Sequence, residues 1–144
     1  MHPTNHLSHP NSRPPVAEPI GGLPANNQNA RAVRLLREGR VEEAVSILRT
    51  IVLKGGCTWM RPEVPNVFKR NYATALLMSG NPSGCVEVLG EMRDESNPRV
   101  QQLRAAIRRW EKTLSLLQWL DWRTGWINPN GRPVTLDFEP GEIP

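Results

Sequence analysis

Leu35-Leu36-Arg37-Glu38-Gly39-Arg40-Val41-Glu42-Glu43-Ala44 returns 41 residues later as Leu76-Leu77-Met78-Ser79-Gly80-Asn81-Pro82-Ser83-Gly84-Cys85. In both copies a leucine pair closes one apolar stripe, a glycine follows three residues on, and a small residue, Ala44 or Cys85, opens the next stripe. That second stripe runs on through Leu48 and Ile51 in the first copy and through Leu89 and Met92 in the second. Glycine reaches positive φ without a Cβ penalty, so each copy reads as two helices joined by a tight turn. A helix hairpin written twice predicts an all-α fold of antiparallel hairpins, with Gly39, Ala44 and Gly80 keeping the crossings close.

Outward from these turns the pattern stays helical. Ala32, Leu35 and Leu36 precede the first glycine; Val41, Ala44, Val45, Ile47, Leu48, Ile51 and Val52 give the next helix a wide apolar face, with Glu42, Glu43, Ser46 and Arg49 on the solvent side. Lys54-Gly55-Gly56 ends that helix. Phe68, Tyr72, Ala73, Leu76 and Leu77 form a third stripe, and Cys85, Val86, Val88, Leu89 and Met92 a fourth. Asn81-Pro82 and Asn97-Pro98 are start signals, because asparagine accepts from the first free amides and proline has no N–H to leave unpaired. The second start opens a long capping helix, Pro98 to Thr124, with Val100, Leu103, Ile107, Trp110, Leu114 and Leu117 along one seam and Ser115, Trp119, Trp122 and Trp126 along another.

The chain divides into a proline-rich leader over 1–25, expected to be disordered, a helical domain over 26–126 and an extended arm over 127–144. In the arm, Asn130-Gly131 marks a turn, and Val134, Leu136 and Phe138 alternate as in a strand or extended segment. His2, His6 and His9 stand among prolines that oppose a helical metal site. The start lacks a basic region followed by an apolar run, and no apolar stretch approaches the roughly 20 residues of a membrane span, so a cytoplasmic location is expected.

The net charge of +4 is carried mainly by arginines, since only three of the 18 basic residues are lysines, and they are scattered. Cys57 and Cys85 are too few for a disulfide framework. No phosphate-cradling loop, metal cluster, carboxylate pair or nucleophile elbow is present, so neither enzyme activity nor a cofactor is expected. Cys57 beside Trp59 has no histidine outside the leader to ionise it.

The first copy resembles the tetratricopeptide repeat in Leu35, Gly39, Val41, Ala44, Leu48 and Ile51; in the second, Tyr72, Ala73, Leu76, Gly80 and Cys85 hold corresponding places and Pro82 departs from the pattern. The likeness covers about residues 26–93. Its repeat distance of 41 exceeds the family's usual length of about 34, which places a longer connection near Gly55 to Arg61. The resemblance implies a concave face, lined by the first helix of each pair, that holds a peptide or partner helix. The matching positions are Asn29, Val33, Leu36 and Arg37, then Arg70, Thr74 and Leu77, with Arg104 and Arg108 from the long helix. The family's carboxylate clamp is matched loosely by Arg70-Asn71 with Asn29.

Guanidinium groups along a groove favour carboxylates, so the expected function is a small adaptor binding an acidic peptide or partner helix. The arm is itself a candidate ligand, offering apolar anchors beside Asp137, Glu139 and Glu142, and its docking is expected to bury Trp119, Trp122 and Trp126. Two rival readings are nucleic-acid binding through Arg99, Arg104, Arg108, Arg109 and Arg123 with Trp110, and attachment to a membrane surface. A homodimer is compatible with each, because two repeats are fewer than independent stability normally needs.

Overall fold

The computed structural model describes residues 23–144, so most of the leader, with its three histidines, lies outside the described residues. Six helices follow one another: α1 Leu23–Arg37, α2 Val41–Val52, α3 Asn66–Met78, α4 Pro82–Met92, α5 Pro98–Glu111 and α6 Leu116–Gly125. Among the described residues there is no strand, and the one β-type pairing is an isolated bridge between Leu53 and Met60. Helix begins at Leu23, inside the span assigned to the leader, because Pro24 falls in the first turn, where a missing N–H costs nothing.

The repeated glycines close the same turn twice. Gly39 donates to the Leu36 carbonyl at 3.1 Å and Arg40 to Leu35 at 2.8 Å; Gly80 donates to Leu77 at 3.3 Å and Asn81 to Leu76 at 2.9 Å. Each pair of bonds satisfies carbonyls that the helix end would orphan, with the glycine at φ +82° or +86°. A Cβ on either glycine would meet nothing within 4 Å. These glycines therefore supply a backbone conformation, and the close approach expected of them is left to Ala44 and Cys85, both wholly buried.

The second hairpin is also capped as its sequence demands. Asn81 Oδ1 accepts from Gly84 N at 2.9 Å, and Asn97 Oδ1 accepts from Arg99 N at 2.9 Å, each with proline next in line. The extra residues between repeats form the 53–65 connection, pinned by Lys54 N–H to the Trp59 carbonyl at 2.9 Å and Arg61 N–H to Val52 at 2.8 Å. Gly56, at φ +74°, serves the turn of this loop, while α2 ends earlier, at Val52.

Helices adjacent in sequence pack together from α1 to α4, and α5 lies against α3 and α4. Leu36, Leu48, Phe68, Leu77, Leu89 and Leu103 are essentially inaccessible and form one continuous core. Burying each such side chain contributes roughly 1.5–3 kcal/mol, which is what offsets the entropy of ordering short helices.

The long capping helix is two helices. Ser115 accepts from Gln118 N at 3.2 Å while Gln118 Oε1 accepts from Ser115 N at 3.1 Å, a reciprocal cap that starts α6 afresh. Leu117 leaves the expected seam and is 76% exposed, along with Leu116 and Leu120. Trp122 alone on α6 is buried, edge-on to Trp110 and to Trp126 at 5.0 and 4.9 Å. Its Nε1 donates to Glu111 Oε2 at 2.8 Å, so a polar atom enters the core with its partner.

Candidate peptide groove

The arm leaves α6 at Trp126, turns at Gly131 and runs back along α5 from its C-terminal to its N-terminal end. Trp110 Nε1 donates to the Arg132 carbonyl at 2.7 Å, Arg109 pairs with Asp137 at 3.1 Å, and Arg99 donates to the Glu139 carbonyl at 2.8 Å. Val134, Leu136 and Phe138 are half-buried against the core while Thr135, Asp137 and Glu139 are exposed, the period-two alternation of an extended chain. The Arg99 guanidinium also lies 4.6 Å from the centre of the Phe138 ring.

Beyond Glu139 the arm crosses onto α1 and α3. Arg37 Nε donates to the Pro140 carbonyl at 3.1 Å and its Nη2 to the Gly141 carbonyl at 3.2 Å. Asn71 closes both main-chain bonds of Glu142: the Glu142 N–H donates to Asn71 Oδ1 at 2.7 Å, and Asn71 Nδ2 donates to the Glu142 carbonyl at 2.8 Å. Asn29 sets that amide, because its Oδ1 accepts from Asn71 Nδ2 at 2.7 Å while its own Nδ2 reaches the same carbonyl at 3.3 Å. Both asparagines are buried, so these bonds satisfy groups that would otherwise lie unpaired in the core.

Charge is recognised one step further out. Arg70 forks onto the Glu142 carboxylate, Nε to Oε2 at 2.8 Å and Nη2 to Oε1 at 3.1 Å, while its Nη1 is held by Asp94 at 3.1 Å. With the arm in place the Arg70 side chain is only 12% exposed, and the Asp94 contact holds the guanidinium through the one terminal nitrogen that Glu142 does not take. Between the charge and backbone contacts, Gly141 rests directly on Val33.

Comparison with protein-family models, with curated proteins and with solved structures finds no match.

Five of the ten residues expected to line the groove meet the arm: Asn29, Val33 and Arg37, four apart on α1, and Arg70 and Asn71 on α3. Leu36 and Leu77 turn into the core instead, and Thr74, also buried, bonds its hydroxyl to the Arg70 carbonyl at 2.8 Å. Arg104 and Arg108 lie on the far side of α5, in a cleft with Val86, Ile107 and Trp122. At about 100° per residue, position 108 stands roughly opposite 99 on the helix, and Arg99 is the one facing the arm. Arg104 forks onto Glu95, and that hydrogen bond holds the Glu95 carboxyl below its usual range.

The groove residues missed as peptide contacts are Arg99, Arg109 and Trp110, which a period of three to four along α5 groups on one face. The expected burial of the tryptophans by the arm fails for two of them. Trp119 is 40% and Trp126 48% exposed, because the arm passes Trp110, while Trp122 packs edge-on against Trp110 and Trp126 and bonds to Glu111. Among the described residues no group of three or more His, Cys, Asp or Glu could hold a metal, and no helix is long and apolar enough to cross a membrane.

Proposed function

We propose that this chain is a non-catalytic interaction module, built from tetratricopeptide-like helix pairs, that grips an acidic extended segment across α1 and α3. One observation carries the reading: the Asn71 amide takes both main-chain groups of Glu142 while Arg70 takes its carboxylate. An amide that bonds N–H and C=O of the same residue reads backbone regardless of sequence, and the buried fork beside it adds a charge requirement. Arg37 extends the backbone grip by two more carbonyls.

Two further features support a binding role over a chemical one. Cys85 is buried, and that burial pushes its thiol up to about 12, so it stays protonated. Of the five arginines that a polyanion would need, Arg99, Arg104, Arg109 and Arg123 are engaged by Glu139, Glu95, Asp137 and Glu111. Among those five, Arg104, Arg109 and Arg123 are in ion pairs and Arg99 donates to the main-chain carbonyl of Glu139, which leaves Arg108 alone without a polar partner within the described residues and weighs against a nucleic-acid surface.

The test uses the full chain carrying Glu142→Lys, which turns the arm's own carboxylate into a charge that Arg70 repels. A fluorescent peptide copying residues 137–144 should bind this variant, and a full chain carrying Arg70→Glu alone, which repels the carboxylate of arm and peptide alike, should not bind it. No binding to the Glu142→Lys chain at any accessible concentration contradicts the module reading.

A further inference from the structure

Among the described glycines with positive φ, Gly141 alone is walled in. Gly39, Gly56, Gly80 and Gly131 would each accept a Cβ with nothing within 4 Å, whereas at Gly141, with φ +87°, a Cβ would lie 2.7 Å from Val33 Cγ1, 2.9 Å from Cγ2 and 3.2 Å from Cβ. Val33 cannot yield: it is fully buried, and a β-branched side chain has one strongly preferred rotamer on a helix. This step of the arm must therefore be glycine for two independent reasons, the backbone conformation and the missing space.

The residue after it is read by a different device. Arg70, pinned by Asp94, presents a planar fork matched to a carboxylate, and the Asn71 and Asn29 amides fix the main chain so that this carboxylate arrives in register. Past Glu142 the grip ends, because Ile143 is 52% exposed and Pro144 is also exposed. Every group bound between Pro140 and Glu142 is a main-chain amide, a carbonyl or a side-chain carboxylate, and none is a chain terminus.

Resting on the peptide-groove reading above, we infer that the groove recognises a Gly-Glu step inside a continuous polypeptide, and that residues 139–143 are an internal copy which a Gly-Glu segment of a partner protein must displace. The upstream anchors suit displacement. Arg109 is 49% exposed, Asp137 and Glu139 more than two-thirds, and such exposed pairs hold little. A tethered segment still competes at high effective concentration, so the free groove is only a fraction of the population and apparent affinity falls by that fraction.

The experiment titrates the labelled peptide of residues 137–144 into the full wild-type chain and into full chains carrying Gly141→Val or Glu142→Lys. These substitutions lie in the arm and leave the groove wall intact; unchanged helical circular dichroism establishes that both variants fold. Both should bind the peptide at least about tenfold more tightly than wild type. Against either open chain, a peptide carrying Gly141→Ala or Glu142→Gln should lose at least about tenfold, while amidating the peptide's C-terminus should change nothing.

Equal binding of the peptide by wild type and both open variants overturns the displacement. Equal binding of the glycine and alanine peptides, or loss on amidation, overturns the Gly-Glu reading in favour of general acidity or end capture. Absence of binding to every chain instead contradicts the peptide groove itself, so the two failures are told apart.

Discussion

Replacing Asn71 by alanine should separate what holds the arm from what holds the helices. The substitution deletes three bonds, to Asn29 Oδ1 at 2.7 Å and to both main-chain groups of Glu142 at 2.7 and 2.8 Å. The Glu142 groups can swing out into water, so their loss costs the arm about 1 kcal/mol each, roughly 2 kcal/mol together. Asn29 cannot follow: it is fully buried on α1, and an orphaned polar group there costs the fold about 1–3 kcal/mol. Native-state hydrogen exchange reads the first part at the Glu142 amide, where about 2 kcal/mol is more than a tenfold faster opening, and urea unfolding reads the second. Unchanged Glu142 exchange in the variant would refute the assignment of the arm's grip to Asn71, whatever happened to global stability.

Three other expectations follow from the same structure. Gly80→Ala has open space but must hold φ +86°, so it should cost about 1–2 kcal/mol in thermal or urea unfolding, and Gly39→Ala the same; together the two should add, since they close separate turns. Cys57 should alkylate at once in the folded chain and Cys85 only on unfolding. Because the native Cys85 thiol is pushed from 9.0 up to about 12, the unfolded state sheds its proton first, so stability should decline from about pH 9 towards 12, and less steeply in Cys85→Ala.

The turns were legible because a Leu-Leu pair with glycine three residues on encodes a complete local motif, needing no distant partner to form. The groove was half legible. Asn29, Val33 and Arg37 share a stripe on α1 by spacing alone, but the azimuth of α5, which put Arg99 and not Arg108 beside the arm, is set by how Val100, Leu103 and Ile107 seat in the core. The break before α6 had its signal in Ser115-Leu-Leu-Gln118, yet the apolar seam running through it concealed the restart. Alternation at Val134, Leu136 and Phe138 announced an extended arm, but its resting place depends on Gly141 meeting Val33 across most of the chain, which no local pattern records.

The groove exists only if the arm lies across α1 and α3 with Gly141 against Val33. Nuclear Overhauser contacts between the Gly141 α-protons and the Val33 methyls test it most directly in the 144-residue chain. The account predicts strong cross-peaks that vanish in Glu142→Lys. Random-coil shifts for residues 139–143 in the wild type, with no such cross-peaks, would contradict it.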